Sequence, residues 1–333
     1  MNSEKILSVA VPAYNVSGTI GKCLDSFADG NLTDDLEVIV VNDGSTDNTA
    51  DIVEKYVREM PGIFRLVTQE NGGHGSAVIT GITHATGKYF RIVDGDDWVD
   101  TEELLQLVAY LRTAEVDYVV DIKTEYNVNT QRMQRFDLPS YIPVEKVCLF
   151  EDICAVKNTE SYIMIHTLNV RTELLKKSRI SLPRHVFYED FEYVTKATLQ
   201  GDTIVFVNRS VYRYRVGSNE QSVSAENYVK KYSHHNTILM RMLCLERDYE
   251  DEGKKKEYLR IRIRILINTQ MNIGLIYDRD RCRGYRRIAR LRKQMKRSFP
   301  YFEQVTRKRY YATLLLHLLG VNYEKLQILM GRL

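Results

Sequence analysis

Four times in its first hundred or so residues this chain repeats one pattern. A short apolar or β-branched run stops at small, polar or acidic residues, and a helix-forming stretch follows. The runs are residues 6–11, 36–41, 64–67 and 89–93, and the stretches after them reach to about 27, 59, 85 and 114. Runs this short, bounded by turn residues, read as strands. Parallel neighbours need a crossover connection, which a helix supplies. The alternation therefore predicts an α/β chain with a mostly parallel central sheet and helices on both faces. All four strands then end at one edge, where open α/β sheets hold ligands.

The fourth run leads into Asp94-Gly95-Asp96-Asp97, three carboxylates around a glycine. Carboxylates this close repel one another unless a cation or a donor-rich ligand neutralises them. Mg²⁺ or Mn²⁺ suits them, held by one or two carboxylates and completing its shell with water and phosphate oxygens. Gly95 permits a tight turn, so Asp94 and Asp96 can face one ligand. The plainer reading is a solvated acidic turn before the next helix, with Asp100 as N-cap and Glu103 at N3. Asp-x-Asp alone does not decide between them, because such tripeptides are common by chance.

Composition narrows the classes. The chain has 333 residues, 44% hydrophobic and 27% charged, which is ordinary globular material and enough for two domains. A net charge of +3 gives no argument for nucleic acid, and no RNA- or DNA-binding module is recognisable. The five cysteines, Cys23, Cys148, Cys154, Cys244 and Cys282, are scattered, which argues for a reducing compartment rather than a disulfide framework. No signal-type apolar region opens the chain and no apolar run is long enough to span a bilayer, so a cytoplasmic protein is expected. There is no P-loop motif, and Gly73-His74-Gly75-Ser76-Ala77-Val78 lacks the third glycine of the dinucleotide fingerprint and follows the third strand. Phosphate must be bound another way, and metal held by Asp94 and Asp96 is the candidate.

Val11-Pro12-Ala13-Tyr14-Asn15, Val41-Asn42-Asp43-Gly44-Ser45-Thr46-Asp47, Asn71-Gly72-Gly73-His74-Gly75-Ser76 and Asp94-Gly95-Asp96-Asp97 occur in this order, each at a strand end. Together they resemble the motifs of family 2 glycosyltransferases, enzymes of the GT-A fold. The match is strong over the first hundred residues and looser to about Ser224. The resemblance implies an inverting transferase that uses a UDP-sugar, with Mn²⁺ or Mg²⁺ as cofactor. It implies that Asp43 accepts from the uracil N3–H, that Pro12, Ala13, Asn71 and Gly73 line the donor pocket, that Asp94 sits near the ribose and that Asp96, with Asp94, holds the metal. For Asp43 an Asx-type turn role before Gly44 stays equally open. Val78-Ile79 stands where many relatives carry Arg-Asn, so a basic contact to the donor is missing there.

Beyond the fourth strand, residues 101–114 read as a helix, 116–120 as a strand and 121–142 as a hairpin or irregular excursion. Strands are expected at 205–207 and 211–215. His166 either faces the acceptor or is simply packed. In Phe187-Tyr188-Glu189-Asp190-Phe191-Glu192 the acids open a helix, where its dipole favours them whatever the function. The resemblance makes Asp190 the general base, with Glu189 as its orienting neighbour. Such a group is needed, because something must take the proton of the acceptor hydroxyl. Gly217 to Ser224 is small and polar enough for a mobile lid, and Arg215 stands ready to replace the missing basic contact.

The expected division is residues 1–225 as catalytic domain, with 1–100 for the donor and 101–225 for the acceptor, and 226–333 as a basic helical region. Ile288, Leu291, Met295 and Phe299 share one helical face with Arg287, Arg290, Lys293 and Arg297 elsewhere. That face serves either as ordinary core or for attachment to anionic lipid at the inner face of the plasma membrane. The leucine-rich stretches at 314–319 and 326–330 suggest a buried terminal hairpin or a homo-oligomer contact. The function this supports is transfer of a hexose or N-acetylhexosamine to a glycan or lipid-linked acceptor in surface polysaccharide synthesis. The contrasting reading is a catalytically silent nucleotide-sugar binder or a basic scaffold.

Overall fold

The computed structural model describes residues 5–154, 156, 158–217 and 224–329. The chain forms two compact units, Met1–Asn219 and Glu220–Leu333.

The first unit is built on one sheet. Its strands are β1 (Leu7–Ala13), β2 (Leu36–Asn42), β3 (Phe64–Thr68), β4 (Tyr89–Ile92), β5 (Trp98–Val99), β6 (Tyr118–Asn127), β7 (Met133–Arg135), β8 (Cys148–Leu149), β9 (Leu168–Arg171) and β10 (Thr203–Val216). They run β3-β2-β1-β4-β9-β6-β10-β5, with β7 beside β6 and β8 beside β10. The four strands of the repeated pattern are parallel throughout. After β4 the order is mixed: β9 lies antiparallel to both β4 and β6, and β10 lies parallel to β6.

Side-chain alternation explains the layers. Leu7, Val9, Val11, Leu36, Val38 and Val40 share a core with Ile20 and Leu24 of helix Ile20–Asp25 and with Leu104, Leu107 and Leu111 of helix Thr101–Thr113. The alternate residues face the other way. A Cβ at Gly81, in helix His74–His84, would lie 2.5 Å from the Ala10 Cβ, so glycine is what lets that helix lie against the sheet. Asp100 caps helix Thr101–Thr113 by accepting from the Glu103 N–H at 3.1 Å, the capping expected from sequence.

The two strands expected at 205–207 and 211–215 are one strand. β10 is continuous, and its pairing with β6 shifts register between Phe206 and Ser210 and again before Tyr212. A bulge absorbs the polar residues that looked like a break. Residues 121–127 extend β6, and β7 pairs back on it as a hairpin. At the junction of β4, β6 and β9, the buried Arg91 guanidinium donates to Asp121 at 2.8 Å.

The second unit is helical: Ala225–Lys230, Tyr232–Asp248, Lys254–Asn272, Ile273–Tyr277, Arg281–Ser298, Pro300–Leu318 and Tyr323–Leu329. Ile288, Leu291, Met295 and Phe299 are at most 6% exposed. That face is core, which removes it as a membrane-inserting surface. The leucine stretch at 314–319 is not buried as a whole: Leu315, Leu318 and Leu319 are 57%, 71% and 69% exposed. Among the described residues no helix is long and apolar enough to cross a membrane.

Candidate active site

Strand ends bring the motifs together. Asp43 follows β2 and is buried, with its N–H donating to the Ala13 carbonyl at 2.9 Å. Its Oδ1 accepts from the Gly72 N–H at 2.9 Å and from Gln69 Nε2 at 2.7 Å, and its Oδ2 accepts from the Gly73 N–H at 2.8 Å. Asp43 therefore braces the glycine loop, and contact with a base would come on top of three protein donors. Gly73 has φ +84°, and a Cβ there would lie 2.8 Å from the His185 nitrogen. That position needs glycine for both backbone conformation and space. Pro12 and Ala13 end β1 as buried residues, while Asn71 is half-buried and its carbonyl accepts from Arg184 at 3.4 Å. Val78 is buried, so no basic contact comes from that position.

The glycine loop starts helix His74–His84, which points the His74 ring between two carboxylates. Nε2 meets Asp94 Oδ1 at 2.9 Å and Nδ1 meets Glu189 Oε1 at 2.6 Å. Burial opposes a charge on this ring, but the two carboxylates outweigh it and hold its pKa well above the usual histidine range. A protonated His74 ring donates to both carboxylates. Burial would raise Asp94, yet the bonds and charge of His74 bring it down to about 2. Glu189 is buried and engaged with His74, whereas Asp190, next in the helix, is exposed.

Asp97 is the buried member of the acidic turn. Its Oδ2 accepts from the Tyr212 hydroxyl at 2.6 Å and its Oδ1 from the Arg215 N–H at 2.7 Å. Burial, with the charges of Asp94 and Asp96, pushes it up to about 8. Asp96 itself is exposed. Asp94, Asp97 and His166 offer ligand atoms within 4.8 Å of one another. Burial pushes His166 down to about 4 against the pull of Asp94, and its buried Nδ1 has no hydrogen-bond partner among the described residues. Its ring lies 4.8 Å from the Tyr212 ring and 4.7 Å from the Tyr214 ring. A neutral imidazole beside crowded carboxylates is a donor set that fits a divalent cation.

The backbone of Arg215 is pinned by Asp97, and its charge bears on both Asp96 and Lys22. Arg213, its partner on the strand face, is committed elsewhere, to Asp100 at 2.6 Å. The lid expected at Gly217 to Ser224 lies, from Ser218 to Val223, outside the described residues.

Three residues at the site were not singled out from sequence: His74 as a bridge, Tyr212, and Lys22, whose ammonium sits 3.2 Å over the Trp98 ring; Asp97, expected as a lesser ligand serving the following turn, is the buried acid. His74 and Asp97 lay inside motifs already recognised. Tyr212 and Lys22 carried no local signal.

Comparison with known proteins agrees with this geometry. The model of the glycosyl transferase family 2 matches residues 8–177, just over half of the chain. Glycosyltransferase GlyA of Streptococcus pneumoniae is 29% identical over 217 residues, 63% of this chain and 30% of GlyA. The uncharacterized glycosyltransferase EpsJ of Bacillus subtilis is 29% identical over 219 residues, 64% of this chain and 62% of EpsJ. The match thus spans less than two thirds of either relative. Among solved structures, residues 1–349 of S. aureus TarS in complex with UDP-GlcNAc superpose with TM-score 0.62 at 21% identity, covering 96% of this chain and 93% of that one. The mannosyltransferase PcManGT of Pyrobaculum calidifontis, in complex with GDP-Man and Mn²⁺, gives TM-score 0.57 at 20% identity over 97% and 87%. These likenesses carry the fold. With the family match, the ordered strand-end motifs and the curated relatives in agreement, this chain has the GT-A fold and belongs to glycosyl transferase family 2.

Proposed function

We propose that the enzyme moves a hexose or N-acetylhexosamine from a UDP-sugar to a hydroxyl of a glycan or lipid-linked acceptor, with inversion, in surface polysaccharide synthesis. One observation carries the reading. The acidic turn after β4 and the start of helix Glu189–Thr198 face each other across His74, 2.9 Å from one and 2.6 Å from the other. Inverting transfer needs such an arrangement, with charge handling for the leaving diphosphate on one side and a proton acceptor on the other.

In this reading Asp190, exposed beside the buried Glu189, takes the proton of the acceptor hydroxyl. Glu189 does not compete for it, because His74 holds its carboxylate. Pro12, Ala13, Asp43, Asn71 and Gly73 form the nucleoside side, and Arg215 with Lys22 supplies positive charge near the diphosphate. Asp94 and Asp96 would hold Mn²⁺ or Mg²⁺, with Asp97 and His166 within reach, and the bound ion would stabilise the departing diphosphate. The UDP-GlcNAc complex of TarS and the Mn²⁺ complex of PcManGT support donor class and metal by analogy of fold. Residues 1–100 would then serve the donor and 101–225 the acceptor.

We further propose association with the inner face of the plasma membrane. Residues 220–333 hold 25 Lys and Arg against 12 Asp and Glu, and residues 1–219 hold 22 against 32. Each basic residue near an anionic surface contributes about 1 kcal/mol, so a handful suffices for reversible binding.

The test is incubation with a panel of UDP-sugars and Mn²⁺, following UDP release. One sugar should stand out, and a chelator should abolish release. Asp96→Ala should lose metal-dependent UDP binding by calorimetry. Equal UDP affinity with and without chelator would overturn the metal assignment, and no release from any donor would overturn the transferase reading of the site.

A further inference from the structure

Helix Pro300–Leu318 carries large apolar side chains on two faces, one buried and one exposed. Its buried residues are Phe302, Glu303, Thr306, Tyr310, Thr313 and His317, spaced by one helical turn after another. The opposite face carries Tyr301, Val305, Tyr311, Leu315 and Leu318, all at least 40% exposed. The inward polar groups are used. Glu303 accepts from Arg292 at 2.6 Å and from Arg307 at 2.7 Å, and the His317 ring meets the Leu275 carbonyl at 2.8 Å. The outward apolar stripe is left to water, which a globular helix normally avoids.

Charge says what fits it. Lys308 lies within the stripe, Arg307 and Arg309 border it on either side, and all three are exposed. On the neighbouring helix Arg281–Ser298, Arg286, Arg290, Lys293 and Arg297 form a second exposed row, and none of them makes an ion pair among the described residues. A second copy of this chain is a poor occupant, because a two-fold contact would set Lys308 and its flanking arginines against their own copies. An anionic bilayer surface complements both features, with headgroups for the cations and the acyl boundary for the stripe.

We propose that helix Pro300–Leu318 is the membrane-inserting element of this enzyme, lying in the interface of an anionic bilayer with Tyr311, Leu315 and Leu318 in the acyl boundary. This rests on the membrane association proposed above and names the surface responsible for it.

The experiment uses the full chain, sedimented with phosphatidylglycerol or phosphatidylcholine vesicles. The wild type, a Leu315→Ser/Leu318→Ser variant and a Leu315→Trp variant are compared. The wild type should sediment with the anionic vesicles only, and less at high salt. The double serine variant should lose at least about tenfold in partitioning, since each buried methylene contributes to anchoring. Leu315→Trp should add quenching by brominated anionic lipid beyond that of Trp98 in the wild type. If the wild type binds but the serine variant binds equally, the inserting surface is elsewhere and only this inference falls. If the wild type does not distinguish the lipids, the membrane reading itself falls. A dimer in sedimentation velocity that the serine variant abolishes would give the stripe to a second copy instead.

Discussion

Asp278 and Asp97 are both buried carboxylates, one in each unit, and their surroundings differ in kind. Asp278 accepts from Arg283 at 2.6 and 3.0 Å, from Arg287 at 3.2 Å and from the Asp280 N–H at 3.0 Å. Asp97 has one hydroxyl and one backbone N–H, and its nearest charges are Asp94 and Asp96. The helical unit pairs the carboxylates it buries at Asp278 and at Glu303 with arginines. The sheet unit gathers three carboxylates at a strand end, where the charges of Asp94 and Asp96 act on the buried Asp97. Paired burial is architecture, and unpaired crowding is a site.

The largest test of this contrast removes basicity without changing shape. Asp190→Asn should cost ~10²–10⁴ in turnover while UDP affinity measured by calorimetry stays close to wild type. Near-normal turnover would move the base elsewhere. In the helical unit, Asp278→Ala removes a buried carboxylate that accepts from the exposed Arg283 and the half-buried Arg287, and should lower stability by about 2 kcal/mol in urea unfolding. A change within error would mean that the pairing there is not structural. His74→Ala removes the link between the two carboxylate sites. Loss of an orienting partner of this kind typically costs ~10–100-fold, so kcat/KM should fall by that much while the fold, followed by circular dichroism, is kept.

The smallest effect is a pH dependence. Because its folded pKa is raised to about 8, Asp97 contributes stability that is full below the ordinary carboxylate range and is lost as pH rises through about 8. Asp97→Asn has no proton to lose. In the presence of a chelator, its melting temperature relative to wild type should rise by a few degrees, on the order of 1 kcal/mol, between about pH 4 and pH 8. A difference that is flat with pH would mean that Asp97 is ionised throughout. His74 follows the same direction, since its raised pKa stabilises the fold at low pH and the contribution disappears as pH climbs through that value.

Much of this molecule follows from local pattern. The four parallel strands, the N-cap Asp100 and the clustering of motifs at one sheet edge are set by short-range chemistry: the two-residue alternation of a strand, the capping preference of a carboxylate, the turn residues between. Each reports on its own neighbourhood, so each is legible in order along the chain. Membership of the family was legible for the same reason, as four motifs at four strand ends.

What sequence could not decide was which groups meet across long separations. Residues 74 and 189 are 115 positions apart, and their contact depends on how the glycine loop docks on His185. Asp97 and Tyr212 are likewise 115 apart, and only the register shifts in β10 aim that hydroxyl at the acidic turn. Periodicity shows that a helix has an apolar face but not whether that face is covered. On helix Arg281–Ser298 the apolar face is core, and on helix Pro300–Leu318 a second apolar face is turned outward. The sequence by itself determined the four parallel strands, the cap at Asp100 and the chemistry brought to the sheet edge. The tertiary structure alone decided which charges are paired and which apolar faces remain open, because pairing and coverage are properties of neighbours that are distant along the chain.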